Sequence, residues 1–103
     1  MECTVKREGN WFIIIVNGAI NIETASDLKK VFDDVLLKGA KFVRLNLKNV
    51  PISNSSGIGN ILMLFKSLKQ RDGVLEIRGI SKNLKEMMRL VKIDTLINIY
   101  DEE

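Results

Sequence analysis

The sequence predicts an α/β fold, a single domain over residues 1–103 with helices packed on a mixed β-sheet in the order β-β-α-β-α-β-α-β. Three observations carry this expectation. Short apolar runs of strand character alternate with stretches whose apolar residues recur at helical spacing. Gly9 and Asn10 separate the first two strand-like runs, as in a hairpin. Finally, 103 residues, of which 46% are hydrophobic and 28% charged, bound one modest core and leave no room for a second domain.

The elements follow in order. Residues 3–8 alternate weakly, with Cys3, Val5 and Arg7 on one face, and read as an edge strand. Residues 11–16 (Trp11, Phe12, Ile13, Ile14, Ile15, Val16) are apolar on both faces, which places this strand inside the sheet. Asn17 and Gly18 end it, and residues 19–23 connect to a helix whose stripe is Leu28, Val31, Phe32, Val35 and Leu36. Thr24 and Asp27 resemble a capping box with the shorter acid, while Asn21 could cap the helix one turn earlier. Gly39 suits the left-handed position that closes it. Phe42, Val43, Leu45 and Leu47 form the next strand, and a right-handed crossover makes it parallel to residues 11–16.

A helix beginning at Ser55 carries Ile58, Ile61, Leu62, Phe65 and Leu68 inward, with Met63 and Leu64 widening the apolar arc, and stops at Asp72 and Gly73. Val74, Leu75 and Ile77 make a further core strand. Ser81 is placed to cap a last short helix with the stripe Leu84, Met87, Met88 and Val91. Leu96, Ile97 and Ile99 read as a final strand, and Asp101, Glu102 and Glu103 as a frayed acidic end.

Composition removes several classes of function. The chain has one cysteine and no histidine, so an internal disulfide, the usual zinc sites and the histidine-activated nucleophiles cannot be built. No acidic pair lies in a cleft-like loop, and the chain is expected not to be an enzyme and to need no cofactor. A net charge of +3 and a pI near 9.1 are spread over the solvent side of every helix, and Tyr100 is the one aromatic after Phe65. Neither a basic patch nor a stacking platform for nucleic acid results. The apolar run at 11–16 is too short for a membrane span or a signal peptide, which points to a cytoplasmic protein.

Between the third strand and the second helix lies Ile52, Ser53, Asn54, Ser55, Ser56, Gly57, Ile58, Gly59. Asn54 is a favoured N-cap residue, which puts Ser55 and Ser56 in the first helical turn, where backbone N–H groups lack intrahelical partners and the dipole end is positive. A phosphate on Ser55 would face free donors, and Gly57 and Gly59 would let another backbone approach. The same residue types also suit any strand-to-helix turn. The string is not a P-loop, because Asn60 and not lysine follows Gly59, although the helix start could still cradle a small anion or nucleotide.

The segment Leu45, Asn46, Leu47, Lys48, Asn49, Val50, followed by Asn54, Ser55, Ser56, Gly57, Ile58, Gly59, resembles the signature of STAS domains of the anti-sigma factor antagonist type. The resemblance extends over nearly the whole chain, with the connector from Gly18 to Asn21, residues 73–80 and the closing helix in support. It implies that Ser55 is phosphorylated by a partner that is both an anti-sigma factor and a serine kinase, which binds the ATP. It also implies that the unphosphorylated chain binds that partner and frees the sigma factor.

Asn21, Ile22, Asn54, Ser55, Ser56, Gly57, Ile58, Gly59 and Met87 would form the contact surface, on a monomer or weak dimer. The family commonly has aspartate where this chain has Asn54, and often an acid at Asn21. Both are amides here, so a carboxylate able to pair with a partner arginine or lysine is absent, and repulsion on a phosphorylated Ser55 is smaller. An alternative function is a STAS scaffold that is never phosphorylated and docks onto a transporter ATPase or a signalling assembly.

Overall fold

The computed structural model describes residues 1–102; Glu103, the last residue of the acidic end, lies outside them. A five-stranded sheet in the order β1-β2-β3-β4-β5 forms from β1 (Glu2–Glu8), β2 (Trp11–Asn17), β3 (Phe42–Asn49), β4 (Val74–Ile80) and β5 (Asn98–Tyr100). β1 pairs antiparallel with β2 through the turn at Gly9, whose φ of 59° is left-handed, and the remaining pairs are parallel. The crossovers are α1 (Ile22–Leu37), α2 (Ser55–Gln70) and α3 (Lys82–Leu90), the last followed by a 3₁₀ turn (Ile93–Thr95).

Strand order equals chain order from β2 to β5, so each right-handed crossover steps the same way across the sheet. All three helices therefore fall on one face. Burial shows the same thing. Phe12, Ile14, Val16, Val43, Leu45, Leu47, Leu75 and Ile77 are buried, while their alternating neighbours on the strands are not. Against them pack Ala25, Leu28, Phe32 and Val35 of α1, Ile58, Ile61, Leu64 and Leu68 of α2, and Leu84 and Met88 of α3. Each large side chain so buried contributes about 1.5–3 kcal/mol.

β2 lies inside the sheet, as its composition requires, yet its second row of Trp11, Ile13 and Ile15 is half-buried on a face that no helix covers. In α2 the fully buried stripe runs through Leu64, with Leu62 and Phe65 at its margins and Met63 exposed. Asn21 is the cap of α1, and Thr24 is the third helical residue answering it. Gly39 follows the C-cap with φ 83°, donating to Leu36 O.

The end of the chain departs most from expectation. Leu96 and Ile97 belong to the turn before β5, which begins only at Asn98. Ile93 and Ile97 fill the core, while Leu96 and Val91 point to solvent; Val91 is the C-cap residue of α3 and not part of its stripe. The acidic end is partly tied down, because Lys85 Nζ lies 2.6 Å from Asp101 Oδ1.

Candidate functional site

Two helix N-termini meet at the carboxyl edge of β2 and β3. Parallel pairing continues past the ends of these strands: Gly18 N–H donates to Asn49 O at 2.9 Å, Ile20 N–H to Ile52 O at 3.0 Å and Asn54 N–H to Ile20 O at 2.9 Å. This short extension, with a bridge between Ile20 and Ser53, fixes Asn21 and Asn54 as the caps of α1 and α2. Asn21 Oδ1 accepts from the N–H groups of Glu23 and Thr24, both at 3.0 Å, and Thr24 Oγ1 accepts from Asn21 N–H at 2.8 Å. Asn54 Oδ1 accepts from Gly57 N–H at 2.8 Å.

Ser55 and Ser56 are thereby the first two residues of α2, both exposed. The cap bond goes to Gly57, so the N–H groups of both serines face outward at the positive end of a 16-residue helix with no acidic residue in its first turn. Gly57 is buried, and a Cβ there would run into Ser53 Oγ and sit 2.6 Å from Ile20 Cγ2. Its missing side chain lets α2 seat against the connector and does not shape the outer surface. Gly59 is different, since a Cβ there would meet nothing within 4 Å.

Beside the serines runs a shallow groove of about 240 Å³ lined by Ser55, Ile58, Gly59, Leu62, Val91 and Ile93. Ile22 (86% exposed), Ile52 (57%) and Leu90 (76%) stand at the surface of the elements that meet here. The structure thus brings Asn21, Ile22, Asn54, Ser55, Ser56, Ile58 and Gly59 to one end of the molecule. Met87 is half-buried against the core and does not line the groove. Val91 and Leu62 do line it, although their spacing assigned them to core stripes; the ends of short helices are where periodicity loses register.

The site offers a hydroxyl and a positive helix end, and among the described residues the Ser55 hydroxyl has no hydrogen bond to a side-chain base. Among the described residues no cluster of three or more cysteine, aspartate or glutamate side chains could hold a metal. Cys3, the one thiol, is half-buried on β1, and burial raises its pKa above the ordinary value, with Asp27 adding to the rise and the N-terminal charge opposing it. No helix is long and apolar enough to cross a membrane among the described residues.

The STAS domain family matches residues 2–103. A candidate anti-sigma factor antagonist of Thermotoga maritima is 31% identical over 90 residues, covering 86% of this chain and 80% of that one. A crystal structure of a candidate anti-sigma factor antagonist, also from Thermotoga maritima, superposes with a TM-score of 0.90 at 29% identity over 96% of this chain and 86% of that one. The anti-sigma-B factor antagonist of Listeria monocytogenes is 29% identical over 95% of this chain and 86% of its own. The anti-sigma factor antagonist SpoIIAA in its unphosphorylated form shares the fold, with a TM-score of 0.78 at 13% identity, over 99% of this chain and 90% of that one. The phosphorylated form of the Bacillus protein gives 0.76 at 13% identity over 95% and 90%.

Proposed function

This chain belongs to the STAS domain family, and on that premise we propose that it is an anti-sigma factor antagonist switched at Ser55. Unphosphorylated, it binds an anti-sigma factor that is also a serine kinase and so frees a sigma factor in the cytoplasm. In the modified state it is released. The observation that carries this reading is the placement of Ser55: exposed, first in α2, beside free N–H donors and an open Gly59.

The step balances with the kinase's ATP as phosphoryl donor. Ser55 Oγ attacks the γ-phosphorus, an O–P ester bond forms, the bond to the β-phosphate oxygen breaks and ADP leaves. The hydroxyl proton passes to a base supplied by the kinase. The new group adds about −1.5 to −2 charge, which free N–H donors on the chain tolerate and an interface packed around a neutral hydroxyl does not. A change of about 3 kcal/mol at that interface moves the complex roughly a hundredfold in affinity.

The neighbouring SpoIIAA fold, solved with and without phosphate, supports the reading by analogy. Binding to the cognate anti-sigma kinase tests it. Ser55→Ala should bind as wild type does in the absence of ATP and stay bound when ATP is added; Ser55→Asp should bind at least tenfold more weakly. Equal affinity of all three with and without ATP would refute the switch. The second reading, a scaffold that is never phosphorylated, draws on Asn21 and Asn54, whose amides cap both helices but offer a partner no carboxylate. Protein purified from its own cells in a stable complex, with Ser55 unmodified under every growth condition, would favour that reading.

A further inference from the structure

On the face of the sheet opposite the helices, we infer a binding site for a small organic monocarboxylate with an apolar chain or ring. It is centred on Arg44 and Arg78, and it is independent of the serine switch. Glu76 Oε1 accepts from Arg44 Nε and from Arg78 Nε, both at 3.1 Å, so one carboxylate holds two guanidinium groups side by side. Each is also stacked: Arg44 Cζ lies 4.4 Å over the Trp11 ring and Arg78 Cζ 4.2 Å over the Tyr100 ring. Only Nε of each arginine is engaged by Glu76, and the Nη groups have no partner among the described residues.

Two oriented, weakly hydrated guanidinium edges match the geometry of a carboxylate, and stacking means little side-chain freedom is lost on binding. They open onto a depression of about 370 Å³ lined by Glu8, Ile13, Ile15, Arg44, Asn46 and Arg78, within the usual range of roughly 300–1,000 Å³ for ligand pockets. Ile13 and Ile15, from the half-buried second row of β2, give it an apolar floor.

Charge selects the class of ligand. Around the depression Glu8 and Glu76 offset Arg44 and Arg78, and Lys6, across the ladder from Ile13, adds positive charge to the same face. That balance favours a single negative charge over a phosphate dianion, and the floor favours a ligand with apolar carbon attached.

Sodium octanoate is a suitable probe, and Trp11, the only tryptophan and the ring on which Arg44 stacks, a reporter beside the site. Titration of the full chain should change Trp11 fluorescence saturably and shift the Arg44 and Arg78 Nε–H resonances. Acetate and inorganic phosphate at the same concentrations should do neither. By calorimetry Arg78→Gln should weaken octanoate roughly tenfold or more, the scale of one charge-assisted hydrogen bond. Arg44→Gln should do likewise. Ile13→Thr, which leaves the arginine pair intact, should also weaken it and keeps the test open if an arginine variant misfolds; Ser55→Ala should not.

Failure to saturate, equal binding of phosphate, or undiminished binding by folded variants would overturn the assignment. So would a Trp11 signal that follows protein concentration alone, which would give this face to a second copy of the chain.

Discussion

Gly57 and Gly59 stand two residues apart in α2 under different constraints, and substitution should separate them. A methyl group at Gly57 has to displace Ser53 Oγ or Ile20 Cγ2 in a buried seam. Gly57→Ala should therefore lose about 1–3 kcal/mol in urea unfolding, overpacking outweighing the helix propensity gained. Gly59→Ala enters open space and should leave the domain as stable as before or up to about 1 kcal/mol more so. Its cost should appear only in partner affinity. Loss of stability at Gly59, or none at Gly57, would contradict the assignment of one to packing and the other to the surface. Cys3 gives a second test at this scale. Burial favours the neutral thiol, so thiolate is depleted at neutral pH in the folded chain. Alkylation by iodoacetamide should run slower than in urea-unfolded protein, and its rate should still be climbing above pH ~8.5, the midpoint of a free thiol.

The caps of α1 and α2 are the elements' main local determinants, and both are asparagines set side by side by the backbone pairing of residues 18–20 with residues 49–54. Asn54→Ala should cost about 1 kcal/mol by chemical denaturation. Asn54→Asp should keep the cap bond and gain about 0.3–1 kcal/mol from the helix dipole. If the aspartate variant then binds the proposed anti-sigma partner more tightly, the amide weakens that contact. This local chemistry was legible in the sequence, because capping, turn glycines and helical stripes act within a few residues. The choice between Asn21 and Thr24 as cap was not, since it depends on Thr24 Oγ1 returning a bond to Asn21 N–H and on the strand extension that presents Asn21. The last strand is shorter than its apolar residues suggest for a related reason. Leu96, Ile97 and Ile99 look strand-like, but Lys92 takes a left-handed φ of 62° and a 3₁₀ turn follows, so only Asn98–Tyr100 reaches β4.

For the whole molecule, alternating patterns carried the class of fold and the order of elements along the chain, but they did not reveal the order of strands in the sheet or that one of its faces stays uncovered. Trp11, Ile13 and Ile15 read as buried because they are apolar, whereas Arg44 and Arg78 lie far apart in the chain, and only the register of β2, β3 and β4 shows that they share a face. That one-sided architecture also decides how the proposed switch at Ser55 would work. The core is one cluster from Phe12 to Ile97, whereas Ser55 is exposed at its rim and holds no side-chain hydrogen bond among the described residues. Charge placed there has no packed neighbour to displace, and the helix end welcomes it. Ser55→Asp should thus raise stability by at most about 1 kcal/mol. For a domain of this size that is a Tm shift of no more than roughly 4–8 °C. Amide exchange should change only around residues 52–59, while affinity for the partner falls at least tenfold. A switch that instead melted α2 would speed exchange along residues 55–70 and lower the Tm. That result would place the signal in the fold and not at the surface.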